Sequence, residues 1–271
     1  MNISRSAFYE WLKKPLTKKE QEDRELAEKI KQLFFDSRCT YGHRRIKKKL
    51  RKNGTKCSND RIRRLMKQMH LVPVQSRKFK ATTNSNHSLP VAPNLLNKDF
   101  TANEPCQKWV GDISYIATEK GWLYLAAIID LFSRKVVGWA LGARMTKQLV
   151  INAMNQAISL EKPSEGLIFH SDRGSQYASY DYQDLLQEHG IRQSMSAKGD
   201  SYDNACAESF FATIKKELIR RKRFKTRSWA RLAVIDHILW YNSERIHSYL
   251  DDMSPMEFEQ HYYNNMRLTA A

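Results

Sequence analysis

Three carboxylates stand where an acid is unfavourable unless it has a partner. Asp112 interrupts an apolar stretch, KWVGDISYIAT. Asp172 closes the short apolar run that starts at Gly166, and Glu208 falls in the opening turns of a long amphipathic helix, after a polar loop from Ser196 to Asp203. Between Asp172 and Glu208 lie 35 residues. If these groups converge, like charges a few ångströms apart cannot all stay ionised without a counter-charge. A divalent cation supplies one, and hard carboxylate oxygens suit Mg²⁺ or Mn²⁺. Two such ions can clamp the attacking and leaving oxygens of a phosphodiester. On composition alone, three unrelated surface or capping acids are the plainer alternative.

The surrounding motifs carry more. WVGDISYI, GWLYLAAIIDLFSRKVVGWA, GLIFHSDRGSQY, SMSAKGDSYDNACAESFFATIKKEL and YNSERIHSYLDDMSPMEFE follow one another in that order. They resemble insertion-sequence transposases of the second-reading-frame type, whose catalytic core is a retroviral-integrase-like DDE core. The resemblance runs from about Tyr41 to His261. It implies an α/β, RNase H-like (integrase-like) core preceded by a small all-α helix-turn-helix module. It also implies a metal-dependent polynucleotidyl transferase that cleaves and joins DNA at insertion-sequence ends. Asp112, Asp172 and Glu208 become the catalytic and metal-binding residues, with Mg²⁺ or Mn²⁺, two ions, as cofactor. The implied partners are terminal inverted repeats, target DNA, further copies of the chain on DNA, and an upstream-frame protein to which this chain is fused when active. Gly111 stands where Thr is common, and the loop reads AKGDS in place of an RKGN-type sequence; neither change removes a ligand.

Charge points the same way. Net charge is +17; residues 1–90 hold 24 Lys and Arg against 8 Asp and Glu, while the rest is nearly balanced. A second basic run, Lys215 to Arg231, holds nine bases against Glu217 alone. Two basic patches flanking a carboxylate site suit a polyanion through counterion release. The longest apolar run, Trp122 to Ile129, is too short to span a bilayer. The N-terminus is polar and basic, so the expected location is the cytoplasm, nucleoid-associated when DNA is bound, with no membrane contact. Cys39, Cys57, Cys106 and Cys206 are scattered and read as reduced thiols, and Cys39, His43, Cys57 and His70 lack the spacing of an integrase zinc module.

The elements that must position these residues divide into four spans. Residues 1–72 read as a basic helical module, with a Ser4-capped helix ended by Pro15, a helix from about Thr17 to Phe35, a basic helix stopping at Gly54, and a Ser58-capped helix. Its candidate DNA contacts are Arg44, Arg45, Lys47, Arg61, Arg64 and Lys67. Residues 73–105 read as an extended linker with a basic cluster at Arg77, Lys78 and Lys80. Residues 106–225 form the core: strands at 108–117, 122–130 and 135–141, a helix from Thr146 to Leu160, the strand ending at Asp172, a helix from Tyr180 to His189, and a strand from Ile191 to Met195. Residues 226–271 are a helical extension, in which Trp229, Leu232, Ile235, Ile238 and Leu239 are expected to face the core.

Within the core, period-2 alternation places Asp112 on one face with Val110 and Ser114. His170 is read as a half-buried, hydrogen-bonded histidine. Arg173 is a candidate phosphate contact. Asn204 precedes Glu208 by four and either orients it, contacts DNA, or caps the helix in competition with Asp203. Lys215, seven after Glu208, lies about 20° from it in projection and about 10 Å along the axis, and is a further DNA candidate. Tyr241, Asn242, Arg245 and His247 match the C-terminal pattern of the resembling family and are read as mainly structural. Two other classes stay open: an RNase H-like nuclease that cleaves without joining, and a non-catalytic DNA-binding regulator.

Overall fold

The computed structural model describes residues 5, 9, 17–74, 89–197 and 204–269. Apart from Arg5 and Tyr9, the Ser4-capped helix with Pro15 lies outside the described residues, as do the Arg77, Lys78 and Lys80 cluster and the loop from residue 198 to Asp203. The chain divides into two compact units, residues 1–75 and 76–271.

The first unit is helical: α1 (Lys18–Asp36), α2 (His43–Lys52) and α3 (Asn59–Gln68). Thr17 opens α1 with a reciprocal capping box: its hydroxyl accepts from the Glu20 N–H while the Glu20 carboxylate accepts from the Thr17 N–H. Ser58 caps α3 by accepting from the Arg61 N–H. Gly54 follows α2 at φ +77°, a left-handed conformation that favours glycine beyond a helix end. Leu26, Ile30 and Phe34 repeat at helical spacing and are buried, as are Ile46, Leu50, Ile62 and Leu65 on the two helices that α1 touches.

The second unit is built on a five-stranded sheet: β1 (Lys108–Thr118), β2 (Gly121–Asp130), β3 (Val136–Gly142), β4 (Ile168–Ser171) and β5 (Arg192–Met195). The order is β3-β2-β1-β4-β5; the first three strands are antiparallel, and β4 and β5 run parallel to β1. Helices α4 (Lys147–Glu161) and α5 (Tyr180–Glu188) cover one face; α6 (Ala205–Glu217) and α7 (Arg227–Ser243) cover the other. Helix α8 (Pro255–Thr269) packs on α7. Gly138 permits the close approach of α4 to β3, since a Cβ there would meet the Ala153 carbonyl and the Ala157 side chain. Of the expected linker, residues 89–105 lie against the sheet. Leu96 is buried in the core, and the Leu95 N–H donates to Ser194 Oγ at 2.9 Å.

Helix α7 meets the sheet through a face that only partly matches the expected one. Ile238 is buried as expected and Ile235 is half-buried, but Leu232 and Leu239 are 67 % and 56 % exposed and Trp229 is also exposed, while Ala230, Ala233, Val234, His237, Trp240, Tyr241 and Asn242 are buried. Apolar residues occur on both sides of this helix, so periodicity does not select the buried side. The small alanines do, because they let the helix backbone sit close to β1 and β2. The C-terminal motif locks this docking. Asn242 pairs both its amide groups with the backbone of Val136, at 2.9 Å each. Arg245 grips Glu217 of α6 through two nitrogens.

Candidate active site

Only the first residues of β1, Lys108 to Val110, pair with β4. Beyond Val110 no strand among the described residues pairs with that edge until Thr118 bridges Phe224, and Asp112 stands between on the α6 side of the sheet, as alternation requires. Gly111 itself points the other way. A Cβ at this position would stand 2.6 Å from the Phe169 ring, so the place where Thr is common is here filled by an aromatic side chain from β4. The Asp112 carboxylate accepts from the Ile113 N–H at 2.7 Å.

Asp172 follows directly on β4, whose end is stitched to β5. His170 is fully buried, its Nδ1 2.8 Å from Ser194 Oγ and its Nε2 3.2 Å from Ser196 Oγ. The Ser196 N–H donates to the Ser171 carbonyl at 3.0 Å. Arg173, a candidate phosphate contact, donates from Nε to the Ser196 carbonyl at 2.6 Å. It thereby fastens the loop after Asp172 to the start of the loop that leads to Glu208. Asp172 accepts from the Gly174 N–H at 3.0 Å, fixing its carboxylate at the strand end.

Helix α6 begins with Asn204 at its N-cap. The side chain does not cap the helix; its amide reaches across to the Gly111 carbonyl at 3.2 Å. Glu208 lies in the first turn with most of its surface exposed, and partial loss of hydration raises its carboxyl above the ordinary value. Two turns on, the Lys215 ammonium stands 5.5 Å from the centre of the Tyr115 ring.

Burial, followed by the charge of Asp172, pushes the Asp112 carboxyl up to about 7; Lys215 works against this, and Glu208 adds the smallest push. The fold therefore brings Asp112 and Asp172 together and leaves Glu208 the outlying member. Among the described residues no three His, Cys, Asp or Glu side chains stand grouped to hold one ion as they are. The donor chemistry nonetheless fits a divalent cation. The acids are oxygen ligands in a strand, at a strand end and at a helix start, and burial, aided by the charge of Asp172, favours a proton on Asp112 that a metal would displace.

In the helical unit the candidates separate. Arg61 Nε and Arg64 both hold the Asp23 carboxylate at 2.6 Å, tying α3 to α1. Arg45 stacks over the Tyr41 ring at 5.5 Å, while Arg44 and Lys67 are exposed and Lys47 half-buried. Sequence reasoning missed Asp23 and also Glu217, the buried partner of Arg245; each lies far along the chain from the residue it holds.

A sheet of order β3-β2-β1-β4-β5 with acids at the centre of β1, the end of β4 and the start of α6 defines an RNase H-like core of the integrase class. Comparison with known proteins agrees. The family model described as "Integrase core domain" matches residues 102–201, a second model of that description matches residues 189–255, and an "HTH-like domain" matches residues 20–79. The "Insertion element IS600 uncharacterized 31 kDa protein" of Shigella sonnei is 45 % identical over 262 residues, covering 96 % of each chain. "Transposase InsF for insertion sequence IS3A" of Escherichia coli (strain K12) is 40 % identical over 262 residues, covering 96 % of this chain and 91 % of that one. In fold, a chain of a simian T-cell lymphotropic virus intasome structure superposes with a TM-score of 0.51 at 18 % identity, covering 72 % of this chain and 66 % of that one. The chain belongs to the IS3-type family of insertion-sequence transposases. It is a DNA transposase, a polynucleotidyl transferase of the DDE type, and its integrase core belongs to a metal-dependent family. No helix among the described residues is long and apolar enough to cross a membrane.

Proposed function

We propose that Asp112, Asp172 and Glu208 are the catalytic acids and hold two Mg²⁺ or Mn²⁺ ions, with which the chain cleaves one strand at the element's end and joins it to another DNA site. The observation that carries this reading is the convergence of β1, the end of β4 and the start of α6, which Asn204 ties to Gly111 beside Asp112, while burial and the nearby Asp172 raise the Asp112 carboxyl. When bound, the ions would activate the attacking oxygen and neutralise charge on the scissile phosphate. The protein's own part is to place the acids. Asp112 is held by strand β1, Asp172 by its bond from the Gly174 N–H, and Glu208 by a helix anchored through Asn204. Water attacks the phosphorus and the 3′ oxygen leaves as a hydroxyl. That hydroxyl then attacks a second phosphodiester, whose own 3′ oxygen departs in turn. Neither step passes through a covalent enzyme intermediate.

Lys215, Arg173 and the basic run from Lys215 to Arg231 are proposed to hold the DNA end. Residues 1–72 are proposed to add affinity through Arg44, Arg45, Lys47 and Lys67, residues 73–105 to connect, residues 106–225 to carry the chemistry, and residues 226–271 to brace α6. Terminal inverted repeats and target DNA are the proposed substrates. A homo-oligomer on DNA, fusion to an upstream-frame protein and action in the cytoplasm complete the reading.

The test is strand transfer on oligonucleotides bearing the repeats that flank the coding sequence, with Mg²⁺, Mn²⁺ or Ca²⁺, for the chain alone and fused to its upstream frame. Asp112→Asn, Asp172→Asn and Glu208→Gln should each abolish cleavage and joining while DNA binding in Ca²⁺ persists. Cleavage without joining by the unaltered protein would favour a nuclease, and normal joining by Glu208→Gln would remove the assignment.

A further inference from the structure

We propose that Tyr115 and Trp122 form a stacking platform for an unpaired base of the DNA strand held at the carboxylates. This rests on the proposed action on DNA. Tyr115 and Trp122 are 42 % and 48 % exposed, and their rings meet edge to face with centres 5.0 Å apart and planes at 89°. The register of β1 with β2, Tyr115 opposite Tyr124 and Ala117 opposite Trp122, puts both on one face near the tip of the hairpin. Two large aromatic side chains left in water, preordered against each other, are unfavourable in a surface with no partner.

Their neighbours are cations. The Lys215 ammonium lies 5.5 Å from the Tyr115 ring centre, and Arg227 Nε donates to the Trp122 carbonyl at 3.0 Å. An aromatic face between positive charges matches a nucleotide, whose base offers a π-surface and whose phosphates offer negative charge. An uncharged protein partner would have no use for these two cations. Position favours the same ligand. Tyr115 is three residues beyond Asp112 on one strand, about 10 Å along it, and alternation turns it to the opposite face of β1. Lys215 of α6 nonetheless reaches the Tyr115 ring and feels the Asp112 charge, so the two faces meet at the edge of β1, and a strand leaving the carboxylates round that edge comes to the platform a few base steps on. Stacking is sequence-tolerant, so the pair should favour unpaired over paired ends and discriminate weakly among bases.

The experiment uses the full chain in Ca²⁺, where no chemistry is needed. Element-end duplexes carry 2-aminopurine at one of the first three unpaired positions of a short overhang, and blunt duplexes serve as controls. We expect the protein to quench the probe at one position. Tyr115→Leu and Trp122→Leu should each lose that quenching and bind the overhang roughly 5- to 150-fold more weakly, with blunt-duplex affinity and melting temperature unchanged. Tyr115→Phe should retain quenching. Quenching and affinity like the unaltered protein in both leucine variants would overturn the platform, as would equal losses on blunt and overhanging DNA. Failure of the active-site reading would show separately, as normal joining by Glu208→Gln.

Discussion

Asn204 Nδ2 donates a hydrogen bond to the carbonyl of Gly111, at 3.2 Å across 93 residues of sequence. It joins the residue before Asp112 to the residue that opens the helix of Glu208. The two acids are thus positioned against each other by one amide, which is buried and whose Oδ1 has no hydrogen-bond partner among the described residues.

Asn204→Ala should therefore lower cleavage more than it lowers DNA binding, with loss of about 1 kcal/mol of stability for one hydrogen bond. Asn204→Asp should be worse, because its carboxylate would face the Gly111 carbonyl. Cleavage rates and denaturant melts of both variants check this; an Asn204→Ala protein with an unaltered cleavage rate would count against the positioning role.

Metal binding should depend on pH in a stated direction. The Asp112 carboxyl, raised from 3.8 to about 7, keeps a proton that the unfolded chain has already released above about pH 4. Through this group the metal-free fold loses stability as pH rises from about 4 to 7, while a cation that needs the carboxylate gains affinity over the same window. Mn²⁺ should raise the melting temperature more at about pH 8 than at about pH 6, and Asp112→Asn should flatten that difference. A shift that shrinks as pH rises would contradict it.

The basic residues of the helical unit should fall into two groups. Arg61 is held by Asp23, whose carboxyl its guanidinium keeps below the ordinary value, so Arg61→Ala and Asp23→Ala should loosen the packing of α3 on α1 and lower the melting temperature. Arg44→Ala and Lys67→Ala, at exposed positions, should leave melting unchanged and reduce the slope of log affinity against log salt by about 0.9 for each phosphate no longer neutralised. Melting curves and salt titrations on the full chain distinguish them; a melting temperature untouched by Arg61→Ala would refute the division.

The Glu217–Arg245 pair joins α6 to the chain beyond α7, with both partners under 10 % exposed. Glu217→Gln leaves a buried guanidinium without its counter-charge and should cost about 3–5 kcal/mol. Replacing both partners with apolar residues of similar volume should cost less than the single change. Urea unfolding of the single and double variants reads this out, and a larger loss in the double variant would show the pair to be net stabilising.

Local chemistry made much of this protein legible from residues alone. Ser58 marked its helix because a cap bonds backbone three residues away, helical spacing of Leu26, Ile30 and Phe34 gave the helix from about Thr17, and period-2 alternation put Asp112 on the correct face of β1. The three acids stood out because carboxylates in apolar strands and at a helix start need an explanation that composition does not give. What sequence could not decide is which of two plausible faces a helix buries and which distant group a charge meets. Leu232 and Leu239 have the spacing of core residues, yet Ala233 beside the one and Ile238 beside the other are buried in their place. Arg61 and Arg64 looked as available to DNA as Arg44 until the fold brought Asp23 to them from 38 and 41 residues away. Asn204 was open between orienting Glu208, contacting DNA and capping the helix, and the fold makes it a bridge to Gly111. Such pairings depend on the folded path of the whole chain, so only the tertiary structure could assign them.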